Sequence, residues 1–201
     1  CPEKTDMSIT VAKTAGFCFG VRRAVELAER QAQANGVIYA YGEIIHNMHE
    51  IARLERQGVR TAHTLQEIPD GAKVLIRAHG VPRRVYQTLQ EKNCEVFDAT
   101  CPFVQKIHRI VDEQSREGRH ILILGSAGHP EVVGIQGWCG GSDVLENEAQ
   151  VRAYLDRPDS TERPLAVVAQ TTVNRNLWNI SVGLIKKRCT NLKIFDTICK
   201  A

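Results

Sequence analysis

The sequence lacks an apolar run as long as the roughly 18 residues that a membrane-spanning helix needs, and its N-terminus has no basic-then-apolar leader. It also lacks a marked excess of charge, since 26 Lys and Arg stand against 23 Asp and Glu and the formal net charge is +3. That surplus of positive charge is too small for a protein that binds the phosphate backbone of a nucleic acid, or for a polybasic membrane-binding surface. We therefore expect a cytoplasmic protein with no nucleic-acid and no membrane partner, while a small anionic ligand remains open.

What the sequence does contain is enough apolar residues for a folded core, together with an unusual number of cysteines. Hydrophobic residues make up 43% and charged residues 24% of the 201 positions, which excludes a disordered chain. Seven residues are cysteine, although a reducing compartment seldom uses cysteine for disulfides. These thiols therefore need another chemical explanation.

An internal repeat organises the chain. Three residue pairs are each separated by 83 positions: Cys18 and Cys101, Gly42 and Gly125, and His46 and His129. A second echo joins the segments 95–101 and 193–199, which share an aliphatic-Phe-Asp-x-x-Cys pattern. The segments 74–80 and 166–172 also correspond, which places His79 and Thr171 at matching positions. One match would be chance, but several matches in order indicate a duplicated unit.

Each unit predicts the same order of elements. In the first, Val21, Ala24, Val25 and Ala28 share one face of a helix that Gly36 can end, and a strand follows over 37–41. In the second, Pro102 opens a helix that runs to Gly118, and the matching strand covers 120–124. Strands that alternate with helices predict an α/β fold of repeated parallel-sheet lobes, with ligands bound at the carboxyl ends of the strands. We place the lobes at 19–101 and 102–199, and treat 156–164 as a surface loop.

The echoed cysteines, Cys18, Cys101 and Cys199, are the candidate metal ligands. Strand-to-helix junctions favour thiolates, and the absence of a tight C-x-x-C pair makes a structural zinc finger a poor match. Three separate thiolates fit an iron–sulfur site, and in a 4Fe–4S cluster they would leave one iron open to a substrate oxygen. Of the remaining cysteines, Cys94, Cys139 and Cys189 are interpreted as packing residues. Cys1 stands at the terminus of the sequence and is assigned no role.

The polar candidates follow apolar strands. His46, His79 and His129 are expected to form a cluster that binds an anion such as a phosphate, whereas we assign His49, His63, His108 and His120 to the surface. Glu131 is the candidate acid, because a carboxyl beside a negatively charged cluster would have a raised pKa. The alternative for Glu131, an ordinary first-turn helix residue, is equally compatible with its position.

Several motifs in order resemble the LytB family of 4-hydroxy-3-methylbut-2-enyl diphosphate reductases. They run from about Val11 to Cys199: Ala15-Gly-Phe-Cys-Phe-Gly-Val-Arg-Arg-Ala-Val25, Ile45-His-Asn47, Arg77-Ala-His-Gly-Val81, Asp98-Ala-Thr-Cys-Pro102, Gly128-His-Pro-Glu131, Gln170-Thr-Thr172 and Asp196-x-x-Cys199. The resemblance implies the last step of the methylerythritol phosphate route to isoprenoids. In that step the allylic hydroxyl of a small diphosphate is removed reductively, giving isopentenyl and dimethylallyl diphosphates.

The resemblance also implies a role for each site residue. Cys18, Cys101 and Cys199 would hold one 4Fe–4S cluster per chain, and His46, His79 and His129 would bind the diphosphate. Glu131 would deliver protons, and Thr171 would support the substrate hydroxyl and the proton path. The implied electron donor is a protein such as ferredoxin or flavodoxin.

The family fold implied by the resemblance has three similar lobes around a central cluster, and this sequence contains two of them. Residues 8–18, an N-terminal strand and the first cluster cysteine, would belong with the third lobe, which is absent after residue 201. We therefore expect a truncated chain that binds its cluster weakly and turns over poorly.

Three other functions remain open at this point. A quinolinate-synthase-like dehydratase has a similar three-lobed fold and three cysteines, but it needs no external reductant. A non-catalytic iron–sulfur sensor would bind a cluster and be indifferent to the loss of Glu131, and a structural zinc module would hold no sulfide.

Overall fold

The computed structural model describes residues 16–45 and 47–200 and shows two halves of similar construction. Cys1, His46 and the predicted strand over 8–15 lie outside the described residues. The first half contains, in chain order, α1 (Phe19–Asn35), β1 (Ile38–Tyr41), α2 (Met48–Arg56), β2 (Val59–Ala62), a 3₁₀ turn (Leu65–Glu67), β3 (Lys73–Ile76), α3 (Arg83–Glu91) and β4 (Glu95–Asp98).

The second half repeats this alternation of strands and helices. Its elements are α4 (Pro102–Arg116), β5 (His120–Leu124), α5 (Pro130–Gln136), β6 (Ser142–Leu145), α6 (Glu148–Leu155), β7 (Leu165–Ala169), α7 (Arg175–Arg188) and β8 (Leu192–Ile194). The first sheet has the order β2-β1-β3-β4 and the second the order β6-β5-β7-β8, and every strand pair is parallel. The predicted α/β fold of repeated parallel sheets is therefore confirmed.

The local signals in the sequence account for these elements. In α1 the predicted stripe of Ala24, Val25 and Ala28 is buried, and Gly36 ends the helix with a φ of 76° that favours glycine. Pro102 occupies the first turn of α4, where its missing N–H is not needed. The segment 156–164 contains neither helix nor strand, as expected of a loop.

Helices cover both faces of the second sheet, which explains why its central strands are apolar except for His120 at the start of β5. Successive strand residues point to opposite faces, so Leu122 packs with Tyr154 and Trp178 on one side while Ile123 packs with Val111 on the other. All five residues of β7 are buried as well. Polar residues are consequently displaced to the ends of these strands.

Two histidines that the sequence assigned to the surface are not there. His108 is only 4% exposed, because it lies on the apolar stripe of α4, one turn after Val104. Its burial lowers its pKa to about 4. His120 is half-buried at the start of β5, where a ring nitrogen lies 2.8 Å from the Asp143 carboxylate. The surface prediction was wrong for both, whereas His49 and His63 are exposed.

Candidate functional site

A cavity of about 380 Å³ lies between the two halves, at the carboxyl ends of strands from both sheets. Its lining includes the three echoed cysteines together with two of the three predicted histidines and the candidate acid: Cys18, Cys101, Cys199, His79, His129, Glu131 and Thr171. The structure therefore brings together the predicted site residues that it describes. The remaining one, His46, lies outside the described residues.

The echoed Asp-x-x-Cys segments form the same turn in both halves. The Asp98 carboxylate accepts a hydrogen bond from the Thr100 N–H (2.8 Å), and the Asp196 carboxylate accepts one from the Ile198 N–H (3.4 Å). After the turn, each cysteine N–H donates to a carbonyl beyond the neighbouring strand, from Cys101 to Ala78 (2.9 Å) and from Cys199 to Thr171 (2.8 Å). The aspartates thus orient the backbone that presents each thiol. The sequence contained this signal as a pattern without indicating its role.

The first helix is attached to the loop that carries Cys101. Cys18 immediately precedes α1 and Cys101 immediately precedes α4, as predicted for thiols at helix N-termini. The Arg23 guanidinium of α1 donates to the Thr100 carbonyl (3.0 Å). Gly20 in the first turn of α1 lies against the Cys101 thiol, since a Cβ at that position would be 2.7 Å from Sγ. Only glycine allows this close approach without displacing the thiol.

The donor set fits a soft, multinuclear metal group better than a single metal ion. Within 16–45 and 47–200, no three His, Cys, Asp or Glu side chains converge closely enough to hold one ion. The thiols instead stand around a cavity, as ligands of a larger cluster would. Burial raises the pKa of the Cys101 thiol, and the neighbouring Cys18 and Cys199 raise it further. Metal binding at Cys101 would therefore release a proton.

The other described cysteines are packing residues. Cys189 is buried in the core beside α7, and Cys139 and Cys94 pack against other apolar clusters. None of them lines the 380 Å³ cavity.

Glu131 and Thr171 form a closely hydrogen-bonded pair inside the cavity. Glu131 Oε1 accepts from the Thr171 N–H, and Oε2 is hydrogen-bonded to Thr171 Oγ1, both at 2.7 Å. The Glu131 side chain is 2% exposed, and this burial raises its pKa, while the two bonds from Thr171 act in the opposite direction. The shift has the predicted direction, and among the described residues its largest cause is burial of the carboxyl by protein.

Glu131 does occupy the first turn of α5, so both interpretations of its position describe part of its environment. If the only role of Glu131 were to stabilise the N-terminus of α5, the helix dipole would favour the charged form of its carboxylate. Both carboxylate oxygens of Glu131 are instead hydrogen-bonded to Thr171, which lies 40 positions away in the loop after β7. Its orientation is therefore set by contact between strand ends.

His79 and His129 meet edge to face, with ring centroids 5.4 Å apart. His129 Nδ1 accepts the Glu131 N–H (3.1 Å) as the N-cap of α5. When the ring is neutral, the proton then resides on Nε2, which makes that nitrogen a hydrogen-bond donor. The two imidazoles line the same cavity as the thiols.

The turn that carries His79 is held by the second half of the molecule. Gly80 adopts a φ of 70° and lies against His108, where a Cβ would be 2.6 Å from the imidazole. The Trp138 indole N–H donates to the Val81 carbonyl (2.9 Å), and its ring stacks on His108 at a centroid distance of 5.1 Å. Sequence reasoning missed Trp138 because no periodic or repeated signal marks it.

No helix in the described parts of the chain is both long and apolar enough to cross a membrane.

The fold and the cavity define the general class of the molecule. It is a parallel α/β protein in which the strand ends of two sheets present thiols, imidazoles and a buried carboxyl to one shared cavity. A family model described as LytB protein matches residues 9–201. The chain therefore belongs to the LytB family, as its motifs predicted.

Curated relatives support this assignment. The chain is 38% identical over 196 residues to 4-hydroxy-3-methylbut-2-enyl diphosphate reductase of Clostridioides difficile and 40% identical over 200 residues to that of Alkaliphilus oremlandii. These alignments cover 97% of this chain and 70% and 69% of the two relatives. By name these relatives are oxidoreductases, which confirms the predicted enzyme class and does not favour the dehydratase, sensor or zinc alternatives.

Solved structures are similar as well. The reductase from Plasmodium falciparum superposes with a TM-score of 0.87 at 29% identity, covering 94% of this chain and 60% of that one. A second structure is described as (E)-4-hydroxy-3-methyl-but-2-enyl diphosphate reductase, the terminal enzyme of the non-mevalonate pathway. Its TM-score is 0.80 at 38% sequence identity, and the alignment covers 95% of this chain and 68% of the chain in that structure. This chain thus spans about two thirds of the length of its relatives.

Proposed function

We propose that this chain carries out the reductive removal of the allylic hydroxyl of 4-hydroxy-3-methylbut-2-enyl diphosphate, giving isopentenyl and dimethylallyl diphosphates. The observation that carries the proposal is the convergence of three thiols, two imidazoles and a buried carboxyl on one cavity of a LytB-family chain. In this reaction a C–O bond breaks and a C–H bond forms. Two electrons and two protons are consumed and water is released.

We assign Cys18, Cys101 and Cys199 as the ligands of one 4Fe–4S cluster. Their soft donor atoms, their separation around a cavity and the shared turn geometry of Cys101 and Cys199 support this assignment. When bound, such a cluster supplies electrons and an iron that can act as a Lewis acid. The electrons would come from a donor such as ferredoxin or flavodoxin in the cytoplasm.

His79 and His129 are the proposed ligands of the diphosphate, with His46 as the third. A donor at His129 Nε2 and the adjacent His79 ring offer hydrogen bonds to phosphate oxygens at one end of the cavity. The Trp138 and His108 contacts fix the turn that presents His79. Binding the diphosphate here would orient the remainder of the substrate toward the thiols.

Glu131 is the proposed proton donor. Because Oε1 accepts a backbone N–H, the proton of the neutral carboxyl resides on Oε2, in a hydrogen bond with Thr171 Oγ1. Burial keeps this proton in place at a higher pH than an exposed carboxyl would allow. The Thr171 hydroxyl can accept the proton and donate its own, so it extends the path from Glu131 into the cavity.

The proposal is tested by anaerobic reconstitution with iron and sulfide, followed by turnover with the diphosphate substrate. We expect iron and sulfide in a ratio of four to four in the chains that bind the cluster, and both five-carbon products when reduced methyl viologen is supplied. Zinc without sulfide would overturn the cluster assignment. Substrate consumption without any reductant would indicate a dehydratase, and a full cluster with no product would indicate a sensor.

Replacing Gly20 by Ala is expected to lower iron incorporation severalfold. The new methyl group would lie 2.7 Å from Cys101 Sγ, well inside the roughly 3.5–4.0 Å of an ordinary contact, and would push the thiol away from its position. Iron and sulfide are counted after reconstitution under identical conditions. Gly183→Ala is the matched control, because a Cβ there meets no atom within 4 Å. Equal iron in both variants would show that the contact does not position the thiol.

Replacing Trp138 by Phe is expected to raise KM for the diphosphate substrate about three- to tenfold with little change in kcat. Phe keeps the aromatic stack but loses the hydrogen bond to the Val81 carbonyl, a contribution of roughly 0.5–1.5 kcal/mol to the position of the His79 turn. Steady-state kinetics and a melting curve are recorded together. A lower Tm with an unchanged KM would assign Trp138 a purely structural role.

A further inference from the structure

A second cavity lies at the carboxyl edge of the first sheet, and we call it the Arg77 cavity. It consists of two adjoining hollows of about 270 and 310 Å³ that share Tyr41, His63, Arg77 and Pro130. These residues come from the end of β1, the loops after β2 and β3, and the start of α5. Ligands of parallel α/β sheets characteristically bind at this edge. The Arg77 cavity shares no lining residue with the cavity that contains the thiols.

Among the described residues, the Arg77 guanidinium has no hydrogen-bonding or ion-paired protein partner. Its Nε is buried and unpartnered there, and no described carboxylate forms an ion pair with it. Burial is the largest influence on its pKa and lowers it, while Tyr41 and Glu43 act in the opposite direction. A half-buried, incompletely paired charge gains from a ligand that completes its hydrogen bonds.

Gly42 leaves room for the guanidinium in this position. The residue has a φ of 76°, and a Cβ placed there would be 2.4 Å from Arg77 Nη1. The absence of a side chain at residue 42 therefore allows the guanidinium to lie directly against the backbone. The Arg77 guanidinium thus occupies space that any other residue at position 42 would fill.

The remaining lining favours an anion with several oxygens. Arg84 and His63 lie at the rim and are exposed, so they can supply further donors, and Tyr41 contributes a hydroxyl. Glu43 is the acidic residue of the lining. Two arginines against one carboxylate leave a net positive charge. The planar donor fork of a guanidinium matches phosphate oxygens in pairs.

We propose that the Arg77 cavity is a binding site for a phosphate group, present either as inorganic phosphate or as the phosphomonoester of a metabolite. The site is additional to the diphosphate site proposed above and does not depend on the proposed reaction. Arg77 is two residues before His79, and Pro130 directly follows His129. A bound phosphate would therefore contact the chain beside both histidines of the other cavity.

The test measures phosphate binding by calorimetry in the background of His46→Asn, His79→Asn and His129→Asn, which removes the three imidazoles proposed to bind the diphosphate. Inorganic phosphate and sn-glycerol 3-phosphate are titrated separately. We expect one site per chain, with Kd at least about tenfold weaker after Arg77→Met, since a charge-assisted hydrogen bond to the phosphate is lost. Arg60→Met, at an exposed position of the same lobe, is the matched control and should bind as the parent does.

The outcomes separate the two sources of phosphate. Tighter binding of inorganic phosphate identifies the free anion, and tighter binding of the ester identifies a metabolite. No binding of either, or equal binding by the Arg77→Met variant, overturns the proposal. If a melting curve shows that Arg77→Met does not fold, Gly42→Ala is used instead, because its methyl group displaces the guanidinium. Tungstate, an anomalously scattering tetrahedral oxyanion, then locates the site in crystals, and no density beside Arg77 would equally overturn it.

Discussion

Replacing Glu131 by Gln is expected to lower kcat by about 10²–10⁴-fold while leaving the iron and sulfide content unchanged. Gln has the shape of Glu, so its carbonyl oxygen can still accept the Thr171 N–H, and its amide can donate to Thr171 Oγ1 in place of the hydrogen bond that this hydroxyl donates to Glu131 Oε2. The amide cannot release a proton, however. The variant therefore separates proton delivery from the packing of the cavity, and the measurement is kcat alongside an iron and sulfide count.

The matched control is Glu148→Gln. Glu148 is also a first-turn helix glutamate, in α6, but it is exposed and pairs with Arg152. Wild-type turnover is expected for this variant. If Glu131→Gln retained the wild-type rate too, Glu131 would be an ordinary helix residue, which is the alternative that its sequence position allows.

The raised pKa of Glu131 also determines the pH dependence of turnover. In the proposed mechanism the protonated carboxyl is the active form, so the rate should be high below this pKa and should fall as pH rises through it. This limb should be absent from the residual activity of Glu131→Gln. Thr171→Val removes a hydroxyl hydrogen bond that lowers the pKa, so the limb should move to higher pH. A limb that stayed in place in Thr171→Val would contradict this account.

Replacing Cys101 by Ser is expected to remove nearly all bound iron and, with it, turnover. A hydroxyl is a harder and much less acidic ligand than a thiol, so it binds the iron of a cluster poorly. The Cys101 backbone N–H would still donate to the Ala78 carbonyl, so the fold around the cavity should persist. Iron and sulfide counts, the visible absorbance of the cluster and product formation are measured after anaerobic reconstitution.

Cys94→Ser is the matched control for this experiment. The Cys94 thiol lies away from the cavity and approaches only the Pro69 and Lys92 carbonyls, to which a serine hydroxyl can also donate. It should keep its iron. Full iron in Cys101→Ser, or equal losses in the two variants, would remove Cys101 from the ligand set. Cys18→Ser and Cys199→Ser should behave as Cys101→Ser does.

Much of the fold could be predicted because its signals are local. The apolar spacing in α1, the glycine at its end and the proline at the start of α4 each act within a few residues, and the structure shows the expected helices. Most of β5 and all of β7 are apolar and buried, as in strands that helices cover on both faces. The internal duplication predicted which side chains lie at the strand ends, because corresponding strand ends of two similar units carry corresponding side chains.

The errors arose where burial depends on a partner distant in sequence. His108 shares the apolar stripe of α4, and this could have indicated burial, but the surface it faces is formed by Gly80 and Trp138. His120 is removed from solvent by Asp143, which lies on the neighbouring strand β6. Arg77 lies in the same motif as His79 but was not predicted as a site residue. The cavity that it lines is formed by residues of both halves.

The sequence by itself determined the alternation of strands and helices, the duplication and the echo of three cysteines within it, because periodicity and spacing are properties of the chain alone. It also determined that Glu131 stands near the start of a helix. Only the tertiary structure decided that this carboxyl is buried against Thr171, which is what raises its pKa. It likewise decided that His79 and His129 line the cavity, whereas His108 packs against Gly80 in the turn that carries His79. These outcomes depend on how two separately formed sheets pack against each other, and no local pattern encodes that packing.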